Sequence, residues 1–399
     1  MRKITLLTLM FMVSLAWNAK AQDSTAATAD DGKLTISGYV DVYYNFAVNR
    51  PFSSTLDGAN AAGRPFDKEA NQFQLGLIQT KFAYSSSKID FVGDLVYGPN
   101  AAYGNFGNTV ALLGPRAGTI GDAAVAIKQA YGTWKATKKL SFTAGQFGTH
   151  VGYEVIDAPV NYHYSLSNLF NNGPFYHLGV KANYAVSDKV AVMVGLVNGW
   201  DAIYDNNAQK SFVGQLYLKP KDGFNIYLNY IGGKESAPTV STMNVHLTDL
   251  TAGYQITDKF YLGINAAYGI MASPDTAVKA ANKITTEAHG AKESLDWWGV
   301  AIYPNFKLND WLGIGVRYEY YQDNYGIRYH ATPGLTNNSL TLTAPITLAG
   351  GLFTFKPEVR YDGASKEIYE GSTFENAVKT GAKTQKEQLT IGFAGIFKF

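Results

Sequence analysis

Six side chains able to do acid–base, nucleophilic or metal chemistry crowd one stretch of this sequence: His150, Glu154, Asp157, His163, Ser165 and His177. Ser165 beside a histidine makes a hydrolytic nucleophile only if the base is in reach and a third group orients it. Nothing in the spacing supplies that arrangement. Glu154, Asp157 and His163 carry donor atoms for a cation, yet they lack the tight ligand spacing of a metal site. Gly232-Gly233-Lys234 lacks the upstream glycine and the following helix of a phosphate loop. The plainer reading is that the polar groups tie a loop to itself and to the wall around it. Neither enzyme activity nor a cofactor is expected.

The elements that must position this loop are strands. Alternation runs over 140–145, breaks into an irregular segment over 149–174, resumes over 177–184, turns at Ser187-Asp188-Lys189 and returns through 190–196. One long connection is followed by one tight one, and the rhythm repeats along the chain. Candidate strands are 34–48, 73–84, 89–97, 125–136, 140–148, 176–186, 190–199, 212–219, 224–232, 245–256, 260–271, 295–307, 311–322, 339–349, 352–361 and 388–399. This predicts an all-β fold, an antiparallel up-and-down transmembrane barrel of about 16 strands, with 14 to 18 compatible with the boundaries. An even number puts both termini on the short-turn, periplasmic side.

The first strand states the pattern. Leu34, Ile36, Val40, Val42, Tyr44, Phe46 and Val48 share one face, and Thr35, Ser37, Tyr39, Asp41, Tyr43 and Asn45 the other. Apolar groups outside and polar groups inside suit a lipid-facing wall around a wet lumen, although a half-buried strand of a soluble sandwich has the same period. By the same parity Val316 faces lipid and Gly315 faces water. Two segments break the pattern: 73–77 changes phase at Ile78, and 125–136 has no clear parity. β-bulges explain such breaks.

Composition agrees. The 399 residues are 46% hydrophobic, with 27 Tyr, 22 Phe, 40 Gly and no Cys. Arg2 and Lys3 precede an apolar run over 4–17, and Ala19-Lys20-Ala21 offers a small-x-small cleavage site, so 1–21 reads as a signal peptide. Residues 22–33 read as a flexible periplasmic leader and 34–399 as the barrel. Beyond the signal peptide no apolar run approaches the roughly 20 residues of a membrane helix. Without Arg2, Lys3 and Lys20, the 34 basic and 32 acidic residues come close to balance, which gives no support to a nucleic-acid partner.

The inward-facing charged candidates for the pore wall are Asp41, Asp90, Asp94, Lys181, Arg317, Glu319, Lys356, Glu358 and Arg360. Their signs are mixed, so no strong ion preference is expected, and no aromatic ladder stands out. At the C-terminus Leu389, Ile391, Phe393, Phe397 and the final Phe399 share one parity. Such a strand resembles the signal read by the barrel-assembly machinery, with Phe393, Phe397 and Phe399 as its apolar part.

Gly145-Gln146-Phe147, Gly152-Tyr153-Glu154, Asn161 with Tyr164-Ser165-Leu166-Ser167, Pro174, His177-Leu178-Gly179 and Asn198-Gly199-Trp200-Asp201 come in an order that resembles the OmpL-like outer-membrane β-barrel porins of Gram-negative bacteria. The resemblance implies a passive channel for ions and small hydrophilic solutes in outer-membrane lipid, with a homotrimer compatible with the class. A solute-specific channel, or a structural or adhesive barrel working through its outer loops, is the alternative. In general porins the third loop narrows the bore. Here the third long connection is 149–175, and its aromatic weight, at Tyr153, Tyr162 and Tyr164 with Leu166, Leu169 and Phe170, exceeds that of a free loop. Tyr153, Glu154, Asp157, Asn161, Tyr162, His163 and Tyr164 are therefore the candidate constriction residues, with Lys181 or Arg317 as partners across the pore. A loop folded over the rim or into a neighbouring subunit is the alternative.

Overall fold

The computed structural model describes residues 32–51, 53–56, 64, 66–104, 126–205, 207–235, 244–272, 294–329, 334–371 and 384–399. The expected signal peptide, and all of the leader except its last two residues, lie outside them. Lys33 already belongs to the first strand.

The wall begins with β1 (Lys33–Ala47), β2 (Phe73–Ser85), β3 (Ile89–Tyr97), β4 (Ala126–Lys135), β5 (Leu140–Gly148), β6 (Tyr176–Ser187) and β7 (Val190–Val197). It continues through β8 (Ser211–Lys221), β9 (Phe224–Lys234), β10 (Asn244–Gln255), β11 (Phe260–Ala272), β12 (Ser294–Lys307) and β13 (Gly313–Asp323). β14 (Leu335–Thr343), β15 (Ile346–Leu348), β16 (Phe353–Ala364) and β19 (Glu387–Lys398) complete it, while β17 (Tyr369–Glu370) and β18 (Thr384–Gln385) form a separate ribbon. Apart from β14 and β15, each wall strand pairs antiparallel with the next, and β19 closes on β1 from Tyr39↔Lys398 to Ala47↔Thr390. β14 and β15 both pair with β16 and form one crossing, interrupted at Ala344-Pro345 because proline has no N–H for the ladder. Counted so, the described residues form a closed barrel of 16 crossings. No helix among them is long and apolar enough to cross a membrane, which says nothing against crossing by strands.

The side-chain parity follows from the pleat. On β1, Tyr39, Asp41, Tyr43 and Asn45 are buried inside while Val42 and Phe46 are exposed outside. Both phase breaks are bulges. The β1–β2 register shifts between Val40 and Val42, turning Leu77 inward, and Asp41 Oδ1 accepts the Leu77 amide at 2.8 Å. The β3–β4 register shifts between Asp94 and Leu95, which leaves Lys128 out of the ladder and buried.

The lumen is less uniformly wet than the alternation implies. Val197, Val213, Ile231 and Leu247 of β7–β10 face inward and are buried, clustering with Trp297, Tyr321, Val151 and Leu169. An apolar core of this kind inside a barrel needs something to pack against, and that partner is the segment between β5 and β6.

Candidate functional site

The segment 149–175 leaves β5 at Gly148 and runs along the inner wall. It makes one helical turn over Asn168–Asn171, capped by Ser167 Oγ accepting from the Phe170 amide at 3.1 Å, and rejoins the wall at Tyr176. Its apolar side chains explain one half of its placement. Val151 and Leu169 enter the cluster with Trp297 and Tyr321, and Phe170 packs with Phe66 and Leu166.

Charge explains the other half. Glu358 accepts the Tyr164 and Ser165 amides at 2.8 and 3.1 Å, and Glu319 accepts the Asn168 and Leu169 amides at 2.8 and 2.6 Å. Each wall carboxylate thus clamps two successive backbone donors, which charge assistance makes stronger than neutral pairs. Cations take the carbonyls: Lys356 Nζ donates to Ala158 O at 2.8 Å and Asn161 O at 2.5 Å, and Arg360 donates to Leu166 O at 2.7 Å. Arg317, fully buried, donates to Glu154 Oε1 at 2.6 Å and to Ser165 O at 2.5 Å. Tyr164 donates to Asp41 Oδ2 at 2.5 Å. A buried charge without such partners would be prohibitively costly.

His163 shows how tightly the loop is seated. Thr343 Oγ1 donates to Glu358 at 2.7 Å and so accepts from His163 Nδ1, also at 2.7 Å. That leaves Nε2 bare and buried without a hydrogen-bond partner. Burial, with the Arg317 and Lys356 charges nearby, holds this ring far below the usual histidine range. His150 Nε2 donates to Tyr230 O at 3.0 Å, and burial pushes that ring down to about 4.

The remaining candidates divide. Asn161 ties the loop to itself through both backbone groups of Val155. Tyr153 stacks on Tyr303 with ring centroids 4.3 Å apart, and Tyr162 lies over Gly313 and Gly315. Gly315 therefore does not face open water, since a Cβ there would come within 2.3 Å of the Tyr162 ring. Asp157 meets neither Lys181 nor Arg317. It contacts Lys128 Nζ and accepts from Gln79 Nε2 at 3.0 Å, with Lys128 also 3.5 Å from Asp94. Lys181 instead caps the Phe147 ring at 4.1 Å, because its strand faces the β5 end of the loop rather than its acidic part. Asp90 pairs with Lys135 at 2.6 Å near the short-turn rim, away from the loop. Lys128 sits on a bulge, and its one trace in the sequence is the loss of parity over 125–136. Glu154, Asp157 and His163 bond to three different strands, and Ser165 Oγ accepts from Arg317 at 3.1 Å, so neither a metal set nor a hydrolytic triad comes together.

On the short-turn side of the loop the lumen opens into two cavities. One, of about 710 Å³, is lined by Tyr153, Tyr162, Tyr261, Tyr303, Asn305 and Lys356 among others. The other, of about 570 Å³, lies against Ser141, Asn183, Met193, Gln215 and Tyr217.

A family model described as "Putative beta-barrel porin-2, OmpL-like" matches residues 33–399. The chain belongs to this family. It is an outer-membrane porin, and its chemistry is that of a channel rather than an enzyme. No curated protein matches its sequence. Among solved structures, this porin is similar to the outer membrane channel DcaP of Acinetobacter baumannii, at 13% identity and a TM-score of 0.55, covering 94% of this chain and 99% of that one. It is likewise similar to OmpT, an outer membrane protein of Vibrio cholerae described in a trimer form, at 11% identity and a TM-score of 0.57, covering 93% and 100%. An anion-selective porin from Comamonas acidovorans shares 8% identity at a TM-score of 0.56, covering 92% and 100%. At these identities the likeness is one of fold alone.

Proposed function

We propose that residues 149–175 form the constriction of this porin, past which ions and small hydrophilic solutes diffuse passively. One observation carries the reading: Glu319 and Glu358, on two wall strands, each clamp a pair of successive loop amides. A segment held that way occupies the bore at rest and not only on solute binding. Replacing 153–172 with a short Gly/Ser linker tests it. The expected result is a folded, heat-modifiable barrel of clearly higher single-channel conductance; a folded variant that conducts like the parent sinks the constriction and leaves the barrel.

Export and assembly follow the same reading. Cleavage after residue 21 is supported by the charged, apolar and small-residue order of the N-terminus, and the mass of the mature chain tests it. Recognition by the barrel-assembly machinery is supported by Phe393, Phe397 and Phe399, all exposed on the outer face or end of β19. Deleting Phe399 is expected to lower the folded form in the outer membrane without lowering synthesis. Assembly as a homotrimer is supported by the trimer form of one similar structure, and the mass of the detergent-solubilised protein decides it.

A further inference from the structure

A row of tyrosines runs along the inner wall of β8–β12. Tyr217 and Tyr227 are cross-strand partners with ring centroids 4.9 Å apart. Thr251 faces Tyr227 across the next ladder, and Gly253 is the next inward position beyond it. Gly253 and Gly263 are themselves cross-strand partners, and each is covered by a tyrosine hydroxyl. A Cβ on Gly253 would lie 2.0 Å from the Tyr261 oxygen, and one on Gly263 would lie 2.2 Å from the Tyr153 oxygen. Only glycine lets the two phenols lie this flat against the sheet. Tyr153 then stacks on Tyr303, which is 1% exposed and fixes it from behind. Tyr217, Tyr227, Tyr261 and Tyr153 stay half-buried, with the row reaching from the smaller cavity to the larger.

The border of the row is neutral along its β8–β10 stretch. Gln215, Asn225, Thr251 and Gln255 occupy inward positions beside it, and Asn225 holds the Tyr217 hydroxyl at 2.7 Å. Beside Tyr217 and Tyr227 the charges are taken, with Lys219 paired to Asp222 at the rim and Asp249 buried under Asn229, Asn265 and the Gly152 amide. At the far end Asp258, Lys259 and Lys307 line the larger cavity with Tyr261. A succession of ring faces bordered by amides and hydroxyls suits a solute with C–H-bearing faces and a hydroxylated edge. Ring faces attract C–H groups through their negative quadrupole, and the amides supply both donors and acceptors. An inorganic ion has no C–H face to lay on the rings, and a purely aromatic solute leaves the amides unpaired.

We propose that the Tyr217–Tyr227–Tyr261–Tyr153 row is a binding track for linear pyranose saccharides. The proposal rests on the channel reading above and deepens it. The experiment uses the purified full-length porin in a planar bilayer in KCl, with maltohexaose added to either side. Saturable interruptions of the KCl current are expected. The Tyr217→Ala/Tyr227→Ala variant is expected to bind the sugar about tenfold more weakly, the scale of losing two aromatic contacts. Tyr217→Phe/Tyr227→Phe keeps the faces and is expected to retain most of the affinity, which separates stacking from misfolding. A KCl-conducting wild type that maltohexaose never interrupts overturns the track and leaves the channel standing. Interruptions that survive the double alanine variant unchanged, or that appear with salicylate and not with the saccharide, also overturn it. A folded wild type that conducts no KCl overturns the channel reading itself.

Discussion

The two halves of the inner wall do different work with the same backbone. β1, β4, β13 and β16 carry Asp41, Lys128, Arg317, Glu319, Lys356, Glu358 and Arg360, and each of these charges is bonded to the loop. β8, β9 and β11 present Gln215, Tyr217, Asn225, Tyr227, Tyr261 and Asn265, and between them Asp249 of β10 meets the loop through the Gly152 amide. The difference teaches that charge in a porin lumen need not face the solute. In a low-dielectric, crowded space a charge is most stable where it meets fixed amides, carbonyls and counter-charges, so it becomes structural. Along β8–β11 the surface left for solutes is then largely neutral, and charge returns toward the short-turn end, where Asp258, Lys259, Lys307 and Asp310 line the larger cavity. Mixed signs along the wall therefore say little about selectivity until it is known which charges the loop has consumed.

Removing a consumed charge should have the largest effect. Arg317→Met leaves Glu154 buried and unpaired and strips the donor from Ser165 O, a loss of about 3–5 kcal/mol for a broken buried pair. The expected outcome is a released loop: a lower melting temperature of the heat-modifiable form, together with higher and noisier conductance. Arg317→Met combined with Glu154→Met should recover much of the stability, since no orphan carboxylate remains. A single variant with unchanged melting and conductance would show that the charged half does not hold the loop.

How far the sequence exposes this division depends on what each feature needs. Strand ends such as Ile89–Tyr97 and Leu140–Gly148 are legible because alternation and turn residues are local. β14 is longer at its start than expected, from Leu335, because Asn337 and Ser339 are polar only toward the lumen, where they meet Tyr369 and Asp362. The parity breaks at Ile78 and over 125–136 betray bulges but not what the bulges aim at. The pairing of Asp157 with Lys128, and the tyrosine row, depend on register between strands far apart in sequence. Tyr217, Tyr227, Tyr261 and Tyr303 are ordinary inward tyrosines until the ladder sets them side by side.

Acid offers a milder way to loosen the loop. Burial depresses His150 to about 4 and holds His163 far below its ordinary range, so both are neutral while the loop is seated. In a released loop they would titrate near 6.5, so the released state binds more protons below that pH. The hold is therefore complete above about pH 6.5 and weakens as pH falls toward 4. Conductance is expected to rise reversibly over that window, and His150→Gln to flatten the rise. A conductance that stays level from pH 7.5 to 4 would mean the seated loop resists both protonations.

Within the charged half, Asp157→Asn is the smaller change, because Lys128 keeps Asp94 at 3.5 Å. The loop should stay seated, as Gln79 can still donate to the remaining amide oxygen. One negative charge is lost beside the bore, so the reversal potential in a KCl gradient is expected to move toward anions. An unchanged reversal potential would place Asp157 outside the path.

The smallest effect belongs to the neutral half. Gln255 is exposed at the end of β10, lines the larger cavity, and donates to the Thr257 carbonyl at 2.6 Å. A lysine there keeps its ammonium in water, so no buried partner is lost and stability should change by no more than about 0.5 kcal/mol. Its charge is screened over about 8–10 Å at physiological salt, which leaves a modest shift toward anions that grows as KCl is diluted. Gln255→Lys thus adds one positive charge, as Asp157→Asn removes one negative, but at a side chain bonded to the Thr257 turn and not to the loop. If the two variants shift the reversal potential alike while only the charged-half substitutions alter melting, the walls are divided as described. If Gln255→Lys also lowers the melting temperature, charge on the neutral half carries stability too, and the contrast between the walls fails.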